Sequence, residues 1–247
     1  MMKDGCRVKI CGITCLKDRQ LVHSVGADFF GVIIDVPYSP RSLNMEAAAC
    51  LLIGAPLPGV ALLFQKNLEE IEQLVEYCRP QAVQLLSSVP LEWLRELKVS
   101  FPKVSWWQSL FLPAAGAASP HADLKGLRQQ MQELARAGAD AVILDTAVKS
   151  SDKIRFGGTG QTSNWKLASS LVVDSPLPVF LAGGIKPSNV RNALDIVHPK
   201  GIDLCSGVEA LPGRKDATKL QELIGEIREW EKENRNGRSE GNERNEK

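Results

Sequence analysis

The stretch Gly138-Ala139-Asp140-Ala141-Val142-Ile143-Leu144-Asp145 carries the pattern on which the fold rests. A glycine ends a helical segment, four apolar residues in a row make a strand with no polar face, and an aspartate stands where that strand stops. A strand apolar on both faces belongs to a parallel sheet covered by helices. The same turn stands at Gly26-Ala27-Asp28 and again at Gly201-Ile202-Asp203. Each is expected to close a helix with a left-handed glycine and lead into a strand.

Outward from this stretch, further short apolar runs occupy residues 7–10, 29–34, 60–64, 82–85, 104–108, 141–144, 179–182 and 202–204. Between them, apolar residues recur at helical spacing, as in Leu68, Ile71, Leu74, Val75 and Cys78, or Val190, Ala193, Leu194 and Val197. Eight strands, each followed by a one-sided helix, predict an α/β protein of one domain, a (β/α)8 barrel over residues 1–230. Element counting alone leaves an open doubly wound sheet as the alternative.

The 247 residues are 44% hydrophobic and 24% charged, a globular composition that sets aside disorder and membrane bundles. Thirty Lys and Arg against 29 Asp and Glu leave a net charge of +1, so neither nucleic acid nor a membrane surface is an expected partner. The charges spread through residues 1–19 leave no room for a secretory signal, and a cytoplasmic location with reduced thiols is expected. The longest uncharged stretch, residues 47–65, is broken by Gly54, Pro56, Pro58 and Gly59, which reads as helix, turn and strand. Cys6, Cys11, Cys15, Cys50, Cys78 and Cys205 lack metal-ligand spacing, and with His23, His121 and His198 forming no ligand pair, no metal is expected. From Glu231 the chain has no apolar residue to bury, so 231–247 is expected to be a disordered charged tail.

In a parallel barrel the chemistry lies at the C-terminal ends of the strands. Those ends read Cys11-Gly12-Ile13-Thr14, Ser39-Pro40-Arg41, Asp145-Thr146, Gly183-Gly184 and Ser206-Gly207, with Gly157-Gly158-Thr159-Gly160 in the loop after strand six. Glycine-bearing loops on adjacent strands let backbone N–H groups approach an anion. Gly158, Gly160, Gly183, Gly184, Ser206 and Gly207 are therefore the expected phosphate cradle.

Taken in order, Lys9-Ile10-Cys11-Gly12-Ile13-Thr14, Ser39-Pro40-Arg41, Gly157-Gly158-Thr159-Gly160, Leu181-Ala182-Gly183-Gly184 and Ser206-Gly207-Val208-Glu209 with Pro212-Gly213 resemble the motifs of phosphoribosylanthranilate isomerases. The resemblance runs from about Val8 to Ile227. It implies a cofactor-independent isomerase of tryptophan biosynthesis, acting on a phosphosugar as a monomer or homodimer. The implied reaction is the Amadori rearrangement of N-(5-phosphoribosyl)anthranilate to 1-(2-carboxyphenylamino)-1-deoxyribulose 5-phosphate. By the same resemblance Asp145 is the acid that protonates the furanose oxygen, Cys11 the base that removes the C2 proton, and Arg41 the clamp for the anthranilate carboxylate.

The assignment makes physical demands. A free Asp is protonated about once in a thousand molecules at pH 7, so Asp145 needs its pKa raised by burial or a nearby negative charge. A free Cys is a few per cent thiolate, so Cys11 needs only modest positive potential. Lys9 should lie on the same strand face as Cys11, deeper in the barrel, where its charge must be paired. The family pattern has a His after strand four where this chain has Leu86, followed by Ser87 and Ser88 whose hydroxyls could replace a lost hydrogen bond. That departure keeps a second reading in view, a non-catalytic or altered-substrate phosphosugar-binding relative.

Overall fold

Residues 5–113, 124–150, 153–156 and 164–243 are described in the computed structural model, without the side chains of 147–150, 153–156 and 236–243. Eight parallel strands close on themselves: β1 (Arg7–Ile10), β2 (Phe29–Ile34), β3 (Gly59–Leu63), β4 (Ala82–Leu85), β5 (Ser105–Pro113), β6 (Ala141–Ser150), β7 (Val179–Leu181) and β8 (Gly201–Leu204). Closure comes from β1, which pairs in parallel with both β8, through Ile10↔Leu204, and β2, through Lys9↔Phe29. The covering helices are α1 (Leu16–Ser24), α2 (Met45–Leu52), α3 (Leu68–Cys78), α4 (Leu91–Ser100), α5 (Leu124–Ala137), α6 (Trp165–Val173), α7 (Val190–Val197) and α8 (Ala217–Glu243). The doubly wound alternative is excluded by the closed ladder.

Strand alternation splits the core into two layers. Outward residues such as Val8, Ile10, Phe30, Val32, Val142 and Leu144 pack against the helices. Inward residues, among them Val60, Leu62, Ala82, Trp107, Ile143 and Phe180, fill the barrel itself. The floor of the barrel is an aromatic plug in which Phe29 meets Trp107 edge-on at 5.0 Å and Trp107 stacks on Phe180 at 4.9 Å.

Gly201 corrects one expectation. Gly26 and Gly138 do take left-handed conformations, at φ 82° and 100°, but Gly201 is the first residue of β8 and has no positive φ. Its role is spatial, since a Cβ there would collide with the Phe180 ring. The left-handed turn that ends α7 is made by His198 instead, at φ 49°.

Two boundaries also move. β5 runs on to Pro113, beyond the apolar run 104–108 read from the sequence, and residues 111–113 pair with β6 through Phe111↔Asp145, Leu112↔Thr146 and Pro113↔Ala147. The lengthened β6 then takes Lys153–Phe156 as an antiparallel partner. At the other end, α8 continues beyond Trp230 into the stretch expected to be tail. Polar docking explains it: Glu231 Oε1 accepts the Cys6 N–H at 2.6 Å and Glu233 pairs with Arg191 at 3.0 Å. Ion pairs and backbone capping hold this first turn without apolar burial.

Candidate active site

At the C-terminal ends of the strands a cavity of about 320 Å³ opens, within the usual range of small-molecule sites. Its lining includes Cys11, Arg41, Asp145, Gly183, Gly184, Ser206 and Gly207, so every candidate residue among those described converges there. Gly158 and Gly160 lie outside the described residues.

Beneath the cavity the buried Lys9 ammonium meets Asp203 Oδ2 at 2.8 Å, which supplies the partner its position on β1 requires. Gly31 leaves the space for this pair: an added Cβ would stand 3.1 Å from Lys9 Nζ and 3.0 Å from Cys11 Sγ. The other oxygen of that carboxylate, Asp203 Oδ1, and Gln84 Oε1 are buried acceptors with no hydrogen-bond partner among the described residues. Both residues line the cavity, where hydroxyl groups of a bound sugar would satisfy them.

Cys11 and Asp145 are tuned in opposite directions. The Cys11 thiol is pulled below its ordinary value of 9.0, first by the Cys205 thiol that hydrogen-bonds to it and then, against burial, by the Lys9 and Lys215 charges. The Asp145 carboxyl is pushed up from 3.8 to about 7, chiefly by burial and also by the Asp203 charge, although the Thr146 N–H donates to its Oδ1 at 2.6 Å. The two shifts act toward a thiolate and a carboxylic acid across one cavity, the two protonation states that acid–base work needs.

Arg41 is less free than the sequence suggests. Its Nε donates to Glu209 Oε1 at 2.8 Å and its Nη2 to Oε2 at 2.6 Å, so one edge of the guanidinium is already a bidentate fork to a carboxylate of this chain. Nη1 is the remaining edge that can face a ligand. Glu209 also takes Lys215 Nζ at 2.9 Å and the Gly213 N–H at 3.2 Å. Burial opposes its ionisation, but Arg41 and Lys215 override that and hold the carboxyl below its usual 4.5. Two cations around one carboxylate leave positive potential at this wall, suited to an anionic ligand.

The glycine loops are shaped for close approach. Gly183 sits at φ 85°, and a Cβ there would collide with Thr146, while at Gly207 one would collide with the Ile185 carbonyl. The N–H groups of Gly183 and Gly184 donate to no protein acceptor among the described residues. Unpaired backbone donors on glycines are the elements of an anion cradle.

Opposite them, Ile33, Val36, Leu62 and Leu86 form an apolar wall with Tyr38, whose ring packs edge-on against Phe64 at 5.3 Å. Leu86 therefore stands in the cavity, and the Ser87 Oγ beside it accepts the Gln65 N–H at 2.9 Å, which leaves its own O–H to donate. Sequence reasoning missed Cys205, Glu209, Lys215 and Asp203 as site residues. The register Ile10↔Leu204 puts Cys205 beside Cys11, and a strand count with that register is the signal that finds it.

Fold and cavity together define a (β/α)8 barrel with an oppositely tuned thiol and carboxyl and two glycine-bearing loops at the strand ends. The family model of N-(5'-phosphoribosyl)anthranilate (PRA) isomerase matches residues 8–226. N-(5'-phosphoribosyl)anthranilate isomerase 1 of Methanosarcina mazei is 36% identical over 230 residues, covering 90% of this chain and 94% of its own. Among solved structures, the isomerase of Pyrococcus furiosus aligns with TM-score 0.75 at 26% identity over 91% of this chain and 99% of its own. A PRA isomerase in complex with reduced 1-(o-carboxyphenylamino)-1-deoxyribulose 5-phosphate aligns with TM-score 0.70 at 26% identity, covering 90% and 98%. The chain belongs to the N-(5'-phosphoribosyl)anthranilate isomerase family.

Proposed function

We propose that this chain isomerises N-(5-phosphoribosyl)anthranilate to 1-(2-carboxyphenylamino)-1-deoxyribulose 5-phosphate, a step of tryptophan biosynthesis. The observation that carries the reading is the opposed tuning of Cys11 and Asp145 on one cavity. Asp145, protonated near neutral pH, gives its proton to the furanose oxygen, and the ring opens to a Schiff base. The cationic nitrogen acidifies the C2 hydrogen, which the Cys11 thiolate removes, and the enolamine tautomerises to the ketone.

The substrate phosphate binds the N–H groups of Gly183 and Gly184 together with the Ser206-Gly207 loop, and the sequence motif assigns Gly158 and Gly160 to the same cradle. The anthranilate ring rests on the wall of Ile33, Val36, Leu62 and Leu86, with its carboxylate against the free Nη1 of Arg41. Among the described residues no helix is long and apolar enough to cross a membrane, in keeping with a cytoplasmic enzyme whose partner is this small phosphosugar.

Adding phosphoribosylanthranilate to the purified protein and following its fluorescence tests the reading. Catalysed decay, abolished in Cys11→Ala, supports it. A substrate that binds and keeps its fluorescence would select the non-catalytic relative instead.

A further inference from the structure

We propose that Cys11 and Cys205 form a reversible disulfide when the chain meets a hydroperoxide, making the mouth of the barrel a redox modification site. Cys11 and Cys205 immediately follow the paired residues Ile10 and Leu204 of two adjacent strands, and the ladder continues through the Cys11 N–H to the Leu204 carbonyl at 2.7 Å. Neighbouring strands lie about 4.7–4.9 Å apart, inside the 4.4–6.8 Å that disulfides span between Cα atoms. Both residues line the cavity, and Cys205 packs against the inward-facing cluster that holds Cys11. The Cys205 sulfur also lies 3.9 Å from Glu209 Oε1.

The other cysteines are placed elsewhere. Cys6 and Cys78 are buried away from the cavity, Cys50 is exposed on α2, and Cys15 accepts from Arg214 Nη1 at 2.9 Å outside it. The thiolate character that fits Cys11 to abstract a proton also makes it the sulfur that reacts first.

The chemistry balances in two steps. The Cys11 thiolate attacks one peroxide oxygen, the O–O bond breaks, and the departing hydroxide takes a proton to leave as water, so sulfur is oxidised to the sulfenic acid as peroxide is reduced. The Cys205 sulfur then attacks the Cys11 sulfur. An S–S bond forms, the S–O bond breaks, and the hydroxyl leaves as water with the Cys205 proton. An external dithiol returns two electrons and two protons and restores both thiols. Cys205 thus acts as a resolving thiol that spares Cys11 from irreversible oxidation.

The consequence for activity rests on the isomerase reading, whereas the cross-link does not. Reduced protein is exposed to stoichiometric hydrogen peroxide, free thiols are alkylated, and tryptic peptides are mapped by mass spectrometry. The expected product joins the peptide 10–17 to the peptide 201–214, with fragment ions placing the bond at Cys11 rather than Cys15. Turnover should fall more than tenfold and return on adding dithiothreitol. In Cys205→Ser, compared with its own reduced form, the linked peptide should be absent and the lost turnover should not return. A linked peptide in a protein without turnover would sustain this inference and overturn the isomerase reading. Turnover lost with Cys11 found as sulfinic acid or bonded to Cys15 would overturn the inference and leave that reading intact.

Discussion

The two ends of the barrel interior are built from the same alternation of side chains and do opposite things. At the floor, Phe29, Trp107 and Phe180 interlock as an apolar plug, and small neighbours such as Gly201 and Ala82 make room for it. At the mouth, Lys9 and Asp203 form a buried pair, Asp145 is held against its ordinary ionisation, and Gln84 Oε1 and Asp203 Oδ1 have no partner among the described residues. The floor stabilises the fold by burial and packing. The mouth carries groups that cost stability until a ligand meets them, which is the usual signature of a site arranged for chemistry.

Substitutions at the two ends should separate these roles, and the largest effect lies at the mouth. Cys11→Ala and Asp145→Asn should each lower turnover by about 10²–10⁴-fold, the range of acid–base catalysis, with an unchanged circular dichroism spectrum. Asp145→Asn should also gain stability at high pH. The folded carboxyl binds its proton more tightly than the unfolded one, so the wild type loses stability as pH rises from about 4 to about 7. Removing that cost should raise Tm by a few degrees at pH 8, for roughly 1 kcal/mol or more, and by less at pH 5. An equal Tm change at both pH values would remove the desolvation account.

Next in size, Phe180→Ala opens a cavity in the floor and should cost about 3–5 kcal/mol in urea unfolding while kcat of the folded fraction stays within a factor of a few. A matching collapse of kcat would mean that the two ends are coupled. Deleting everything after Trp230 removes the Glu231 contact to Cys6 and the Glu233 contact to Arg191, and Tm should fall by about 2–4 °C, for roughly 1 kcal/mol. An unchanged Tm would show that these two contacts contribute no stability. Smallest of all, Leu86→His puts a polar ring on the apolar wall, and kcat/KM should change by less than about tenfold.

Most of the barrel was legible in the sequence because strands buried on both faces are short unbroken apolar runs, and most of the mouth because residues just past those runs have to face it. What resisted reading depends on register. The Glu209 fork to Arg41 joins residues 168 positions apart, and the Lys9 partner is 194 positions away. The requirement for a partner followed from Lys9 lying inside the barrel, but its identity did not. Gly201 was misread because a glycine before a strand has two causes, a left-handed turn or a close ring, and only the packing of Phe180 distinguishes them. The contacts of Glu231 and Glu233 just past Trp230 were not legible, because apolar content alone does not register docking by ion pairs.

The most direct test of the central claim is the pH dependence of kcat/KM for phosphoribosylanthranilate between pH 5 and 9, followed by fluorescence. A carboxylic acid with its pKa at about 7 opposite a thiolate predicts a bell with one limb near pH 7, where Asp145 loses its proton. A profile that passes level through pH 7 and rises to pH 9 would contradict the assignment of Asp145 as the acid.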